Sequence, residues 1–375
     1  MTSETSAARR TTQADPCEWA WVDLSGAGRA AWEAAFEAFP DADVYYHPGY
    51  AEVLRRNGEG EPACLVVRSR RGLLLFPFLQ RPIDPELARS AGLPPTLMDV
   101  VTPYGYGGPA VAAADEAEEA ELLARYRRII AEEFPCRGLV AEFIRFHPVL
   151  ANHRGDQPGL DRVRRSQTVA FDLTRDPERL WNEMDPTSRN KARRAIKGGV
   201  VIAEDGALAH FESFHDNYLE TMRRRDAAAG YHYSLEFFRD TVEQLAGMVN
   251  LFVARSQGHV VNAALILQRG SHAHYHFSGS DETRRVPGAN NLLLYEVALW
   301  ARSRGARTLH LGGGRRPGDT LFQFKASFSP LHLDFWTGTA IHLPEAYERL
   351  CAAAAARRDP AAPPVDPAFF PRYRA

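Results

Sequence analysis

The chain has 375 residues, a formal net charge of −2, and 45% hydrophobic and 25% charged residues. That length predicts two cores of ordinary domain size, and the near-neutral balance leaves any anion site to local clustering. No run approaches the roughly 20 apolar residues of a membrane helix, and the cysteines (Cys17, Cys64, Cys136, Cys351) form no Cys-x-x-Cys pair, which argues against a disulfide framework or zinc knuckle and for a reducing compartment.

Met1–Asp15 has no apolar stretch and reads as a disordered tail, not a leader peptide. A short helix is expected over Trp32–Phe39. A strand hairpin follows over Ala63–Val67 and Leu73–Leu79, around the charged turn Arg68–Gly72. The Gly- and Pro-rich run Thr102–Pro109 excludes a helix interior. An acidic helix over Asp115–Phe134 leads to an alternating strand, Gly138–Phe146.

The second half repeats this grammar. Val169–Leu173 reads as a strand and Pro177–Met184 as a helix. Thr187 or Ser188 is placed as the cap of a second helix ending at Gly198-Gly199. Helices are expected over Ala207–Ala228 and Ser234–Ala246, then a hairpin, Leu251–Ser256 with Val260–Gln268. The strand His272–Ser278, the helix Asn290–Arg304 and the strand Thr308–Leu311 complete the order. Helix–strand–strand–strand–helix–strand is the order of an acetyltransferase-like fold of mixed-sheet α/β class. Two tandem domains of this kind are expected, over 16–160 and 161–343, each with its own mixed sheet, and a C-terminal helix and Pro/Ala-rich tail over 344–375.

Four segments carry candidate chemistry. Arg189, Arg193 and Lys197 fall at i, i+4, i+8 on one helix face with no carboxylate among them, either an anion-attracting stripe or a solvated basic face. Lys325 stands between Phe324 and Phe328, shortly after Gly312-Gly313-Gly314, whose glycines let a backbone or ligand approach closely. Only Lys191, Lys197 and Lys325 are lysine among 45 basic residues, which favours a functional role where a compact ammonium is wanted. His272, His274 and His276 share one strand face, but no acid or further ligand sits at supporting spacing, so strand packing or substrate contact is expected and no metal. Arg285–Asn290 nearly matches the pyrophosphate loop of coenzyme A-dependent acetyltransferases, with Arg285 and Gly288 in place and Asn290 where glycine or alanine is usual.

Several of these stretches together resemble the Fem family of aminoacyl transferases. Ser188–Ala195 with Gly199-Val200 is similar to its "R-N-x-R-K-A … G-V" segment, and Thr102–Pro109 to its first-domain signature. Asn290–Glu296, and above all Gly312-Gly313-Gly314 with Leu321–Phe328, extend the likeness over about residues 45 to 335. The resemblance implies two acetyltransferase-like (GNAT) domains that form an amide by moving an activated acyl group to an amine on a small-molecule or cell-wall-type acceptor. Aminoacyl-tRNA is the expected donor, no cofactor is required, and the setting is cytoplasmic. It implies catalysis by Lys325, with Arg189 and Tyr104 on the acceptor side; Arg193, Tyr231, Phe324 and Phe328 are further residues expected at the substrate. An acyl-coenzyme A donor, held by Arg285 and Gly288, is the alternative, and a non-catalytic binder of RNA or anionic glycan the third reading.

Overall fold

The computed structural model describes residues 18–359, 361 and 364–375, so the tail expected over Met1–Asp15 lies outside the described residues. The first stretch of chain forms β1 (Glu18–Asp23), α1 (Gly26–Glu37), α2 (Pro48–Arg56), β2 (Glu61–Arg68), β3 (Gly72–Pro82), α3 (Pro85–Ser90), β4 (Met98–Val101), β5 (Ala110–Ala113), α4 (Glu116–Cys136) and β6 (Leu139–Arg145). The second forms β7 (Asp161–Asp172), α5 (Pro177–Glu183), α6 (Pro186–Lys197), β8 (Val201–Glu204), α7 (Phe211–Arg224), α8 (Leu235–Gln244), β9 (Val249–Ser256), β10 (His259–Arg269), β11 (His272–Ser280), α9 (Ala289–Ser303), β12 (Thr308–Gly313) and α10 (Thr320–Ala326). β13 (His332–Ile341) and α11 (Pro344–Arg357) close the chain.

Two compact units result, and they are interleaved, unlike the contiguous stretches expected. One holds the described residues up to Pro40, Tyr45–Arg164 and Phe335 onward, and the other holds Asp41–Val44 and Arg165–Asp334. The C-terminal helix is not a separate appendage. Tyr347 and Leu350 of α11 are buried with Ile83, Leu87 and Val140 in the first unit.

In the first unit the hydrogen-bond order is β1-β2-β3-β4-β6-β13, with β5 on β3. β4 and β6 are parallel, as a strand–helix–strand crossover through α4 requires. The core gathers Phe76, Phe78, Tyr126, Ile130 and Phe134 between α4 and the sheet. Beside it, Arg127 and Glu142 form a buried ion pair at 2.9 Å.

In the second unit the order is β13-β7-β12-β11-β10-β9-β8. The parallel pair is β11 with β12, joined by α9, so both units repeat the same crossover. α6 and α9 cover the sheet with Ala192, Ala195, Leu292, Leu293 and Val297, of which each leucine and the valine contributes roughly 1.5–3 kcal/mol when fully buried. Both sheets are mixed, and β13 is divided between the units, its first residues falling in the second and Phe335–Ile341 in the first.

Two local expectations are corrected. Thr187 and Ser188 do not cap α6: Asp185 stands at the N-cap with Pro186 at the first helical position, where its fixed φ starts the turn. Ser188 is instead buried, its Oγ 2.7 Å from the Oγ of Ser327. The stretch 320–326, read only as a Phe-Lys block, is a short helix. No helix among the described residues is long and apolar enough to cross a membrane.

Candidate functional site

The end of β12 and the helix after it place Lys325. Asp319 starts α10, its Oδ1 accepting from the Phe322 amide at 2.8 Å and its Oδ2 from the Arg315 and Arg316 amides at 2.7 and 3.0 Å. Burial opposes the Asp319 charge, but these N–H donors outweigh it and hold the carboxyl below its ordinary range. The close packing explains the glycine run in part: a Cβ on Gly314 would lie 2.1 Å from Asp319 Oδ1, and one on Gly313 2.8 Å from the Gln167 carbonyl.

Lys325 donates from Nζ to the Gly313 carbonyl at 2.8 Å. Burial, and then the neighbouring Arg225 charge, pull its proton affinity down to about 8, while Asp319 opposes the shift. At neutral pH it is an ammonium, and one that releases its proton far more readily than an exposed lysine. Phe324 and Phe328, at i and i+4, pack edge to face on each other at 5.1 Å. Phe328 is fully buried, and Phe324 faces a cavity of about 500 Å³.

That cavity sits at the N-terminus of α9. Its wall includes Lys191, Arg225, Arg285, Gly288, Asn290 and Phe324. Gly288 has φ +90 and precedes the first residue of α9, and a Cβ there would lie 2.1 Å from the Lys191 carbonyl oxygen. The glycine is therefore required by the seating of this loop on α6, whatever ligand it meets. Arg285 pairs with Glu282 at 3.4 Å. Tyr275 donates to Asn290 Oδ1 at 3.3 Å.

The basic stripe of α6 is divided in its tasks. The Arg189 guanidinium donates to the carbonyls of Asn182, at 2.7 Å, and Met184, closing the C-terminal end of α5. Arg193 lies over the Trp181 ring at 5.3 Å and donates to Asn190 Oδ1. Neither lines the cavity. Lys191, on another face of the same helix, does. Tyr231 is 45% exposed, its carbonyl accepting from the Tyr218 hydroxyl, and it too lies outside the cavity wall. Tyr104 belongs to the first unit, where its carbonyl accepts from Tyr50 at 2.9 Å. The sequence reading missed Lys191, Arg225 and Asn290 as wall residues. Lysine rarity was the available signal for Lys191.

The histidine face of β11 is as expected, but acids do reach it. His272 Nε2 is 3.3 Å from Asp41 and His274 Nε2 is 2.7 Å from Asp43. These partners lie some 230 positions away in sequence, beyond any spacing argument. Burial, and then His274, hold His276 down to about 3, so it stays neutral at physiological pH.

With the geometry in place, residues 186–326, from α6 through α10, match the acetyltransferase (GNAT) domain family. No curated sequence gives a significant match. Among solved structures, FemX superposes with a TM-score of 0.62 at 14% identity, covering 88% of this chain and 98% of that one. A conserved protein of unknown function from Bacteroides thetaiotaomicron gives 0.54 at 12% identity, covering 85% and 99%. The C-terminal domain of a protein named as a lysylphosphatidylglycerol synthetase, from Agrobacterium fabrum, gives 0.50 at 14% identity, covering 85% and 95%. At these identities the likeness is one of fold. The second unit thus carries a GNAT-type acyltransferase domain, in the mixed α/β class and with the Fem-like fold expected from the sequence.

Proposed function

We propose that the protein forms an amide bond by moving an aminoacyl group from aminoacyl-tRNA to the amine of a small-molecule or cell-wall-type acceptor, in the cytoplasm. The observation that carries this reading is the Lys325 ammonium, buried beside a strand end and adjoining, through Phe324 and Arg225, a cavity whose wall carries Lys191, Arg224, Arg225 and Arg285 against Asp281 and Glu282. An aminoacyl ester is already activated, so catalysis reduces to positioning and charge stabilisation. The amine nitrogen bonds to the ester carbonyl carbon, negative charge collects on the carbonyl oxygen, and the bond to the ribose oxygen then breaks. That oxygen leaves with a proton and the amine gives one up. An ammonium has three N–H donors; with one directed at Gly313, two remain for the developing oxyanion. Lys191, Arg225 and Arg285 would meet the donor's phosphates. The likeness to FemX in fold supports this donor.

A second reading, acyl-coenzyme A as donor, is favoured by one feature: Gly288 and the N-terminus of the 15-residue α9 open on the cavity, a setting that suits phosphate. Incubation with charged tRNA and with acetyl-coenzyme A in parallel, with an added amine, separates the two by which donor is deacylated. Deacylation of charged tRNA alone is the expected result, and micromolar binding of acetyl-coenzyme A with turnover would overturn it.

A further inference from the structure

A second cavity, of about 330 Å³, lies between α7, the start of β10 and the loop after β11. Asp281 lines both this cavity and the cationic one, so the two are neighbours of opposite character. On its α7 wall stand Asp216 and Glu220, at i and i+4 and so on one helix face. Neither carboxylate has an ion-pair partner among the described residues. Asp281 itself is saturated, accepting from Thr283 Oγ1 at 2.6 Å and pairing with Arg284 at 2.8 Å. The Arg284 charge is thereby neutralised, and Asp216 and Glu220 leave the wall net negative.

Between those two acids in sequence is Asn217, 7% exposed and also on the cavity wall. Its Nδ2 has no hydrogen-bond partner, and a buried donor left unpaired costs about 1–3 kcal/mol. The depth of this amide is set by the sheet beneath: a Cβ on Gly279 would lie 2.3 Å from the Tyr218 amide nitrogen, so α7 rests directly on β11.

The ligand this wall suits can be deduced by elimination. An anion meets two uncompensated carboxylates. A bare metal ion meets the unpaired Nδ2 of Asn217, a donor and not a ligand, and these acids do not converge as a three-ligand group among the described residues. A neutral molecule leaves both charges unused. What satisfies all three groups is a cation with an acceptor oxygen close by. We propose that this cavity binds a small primary amine whose ammonium lies between Asp216 and Glu220 and whose adjacent carbonyl or hydroxyl oxygen accepts from Asn217. An α-amino amide, α-amino ester or amino alcohol has this chemistry. The proposal rests on the acyl-transfer reading only for its place in the reaction, as the holding site of the amine or of the aminoacyl end.

The test titrates the full chain, by calorimetry and by NMR, with L-alaninamide, N-acetyl-L-alaninamide, ethylamine and puromycin. L-alaninamide binds, while removing its ammonium by acetylation, or its oxygen as in ethylamine, weakens binding at least about tenfold. The double variant Asp216→Asn, Glu220→Gln, which alters only wall carboxylates and is checked for an unchanged melting temperature, loses about the same factor. Equal binding of L-alaninamide and puromycin identifies a free amine as the occupant, and binding of puromycin alone identifies the aminoacyl end of the donor. Absence of binding by both, equal binding of the acetylated probe, or unchanged affinity in the double variant overturns the proposal. Because binding is read without turnover, its failure leaves the donor assay standing, and failure of the donor assay leaves this result standing.

Discussion

Lys325 Nζ is hydrogen-bonded to the Gly313 carbonyl at 2.8 Å, a tie from the last turn of α10 to the last residue of β12. The tie fixes a cation at the strand end, where, in the proposed reaction, the carbonyl oxygen would gain most from it in the transition state. Lys325→Ala is expected to lower kcat by about 10²–10³ with a smaller change in KM. Lys325→Arg fails as well, because the planar fork displaces either Phe324 or substrate. Steady-state kinetics on the folded variants decide this; retention of more than about a tenth of wild-type turnover by Lys325→Ala would make the lysine structural.

The pH profile follows from the same group. With its proton affinity lowered to about 8, the ammonium is lost as pH rises through that value, so kcat falls on the alkaline side near pH 8. For stability the sign is that of the usual carboxylate case, a folded-state value lowered below the unfolded one, and the reverse of a lysine that gains an ion-pair partner. The unfolded lysine holds its proton to higher pH than the folded one, so the folded state carries a penalty below pH 8 that disappears as pH rises toward the ordinary lysine value. Lys325→Met is therefore expected to stabilise the fold near neutrality, by no more than ~3 kcal/mol, with the gain shrinking above pH 8 in melting curves taken across that range.

Gly288→Ala places a methyl group 2.1 Å from the Lys191 carbonyl at a backbone φ of +90. Strain in the left-handed region alone costs about 1–2 kcal/mol, and the collision adds to it. A fall in melting temperature is expected whether or not coenzyme A is a ligand, and an unchanged melting temperature would contradict the close seating of the loop on α6.

Arg189→Ala and Lys191→Ala separate structure from binding on one helix. Arg189 holds the carbonyls of Asn182 and Met184, so its loss costs roughly 1–3 kcal/mol of stability and leaves the salt dependence of donor binding unchanged. Lys191→Ala with Arg285→Ala, both from the cavity wall, leaves stability nearly unchanged. It weakens binding of a charged donor and flattens its salt slope, since exposed charges are screened over about 8 Å at physiological salt. Affinity for charged tRNA measured at several salt concentrations tests the pair.

The elements that local chemistry dictates were legible in the sequence. The β9–β10 hairpin was signalled by Gln257-Gly258, which take φ of 50 and 82 as a tight two-residue turn needs. The β11–α9–β12 crossover followed from its periodicities, and Lys325 was singled out as a candidate by its rarity. Arg189 was visible as a charge but not as the closure of α5, because its carbonyl partners have no sequence signature. Arg225 and Asn290 come from different elements, and only the fold makes them one wall. Asp43 reaches His274 from 231 positions away, and β13 was not foreseen because neither of its partners adjoins it in sequence.

β13 also bears on how the protein is made. Near its start, the Leu331 and Leu333 carbonyls accept from Ala170 and Thr168 in the second unit, and Thr337–Ile341 pair with Ala141–Arg145 in the first. Neither unit is a contiguous stretch of chain, and Asp43, needed by His274, leaves the ribosome long before its partner. The first unit cannot fold to completion and wait while the second is synthesised, the usual order in multidomain chains, because its last strand emerges after nearly everything else. Cutting the gene between residues 164 and 165 yields two fragments, one without its final strand and the other without Asp43. Co-expressing the fragments, not purifying them singly, is the way to recover folded protein from such a split.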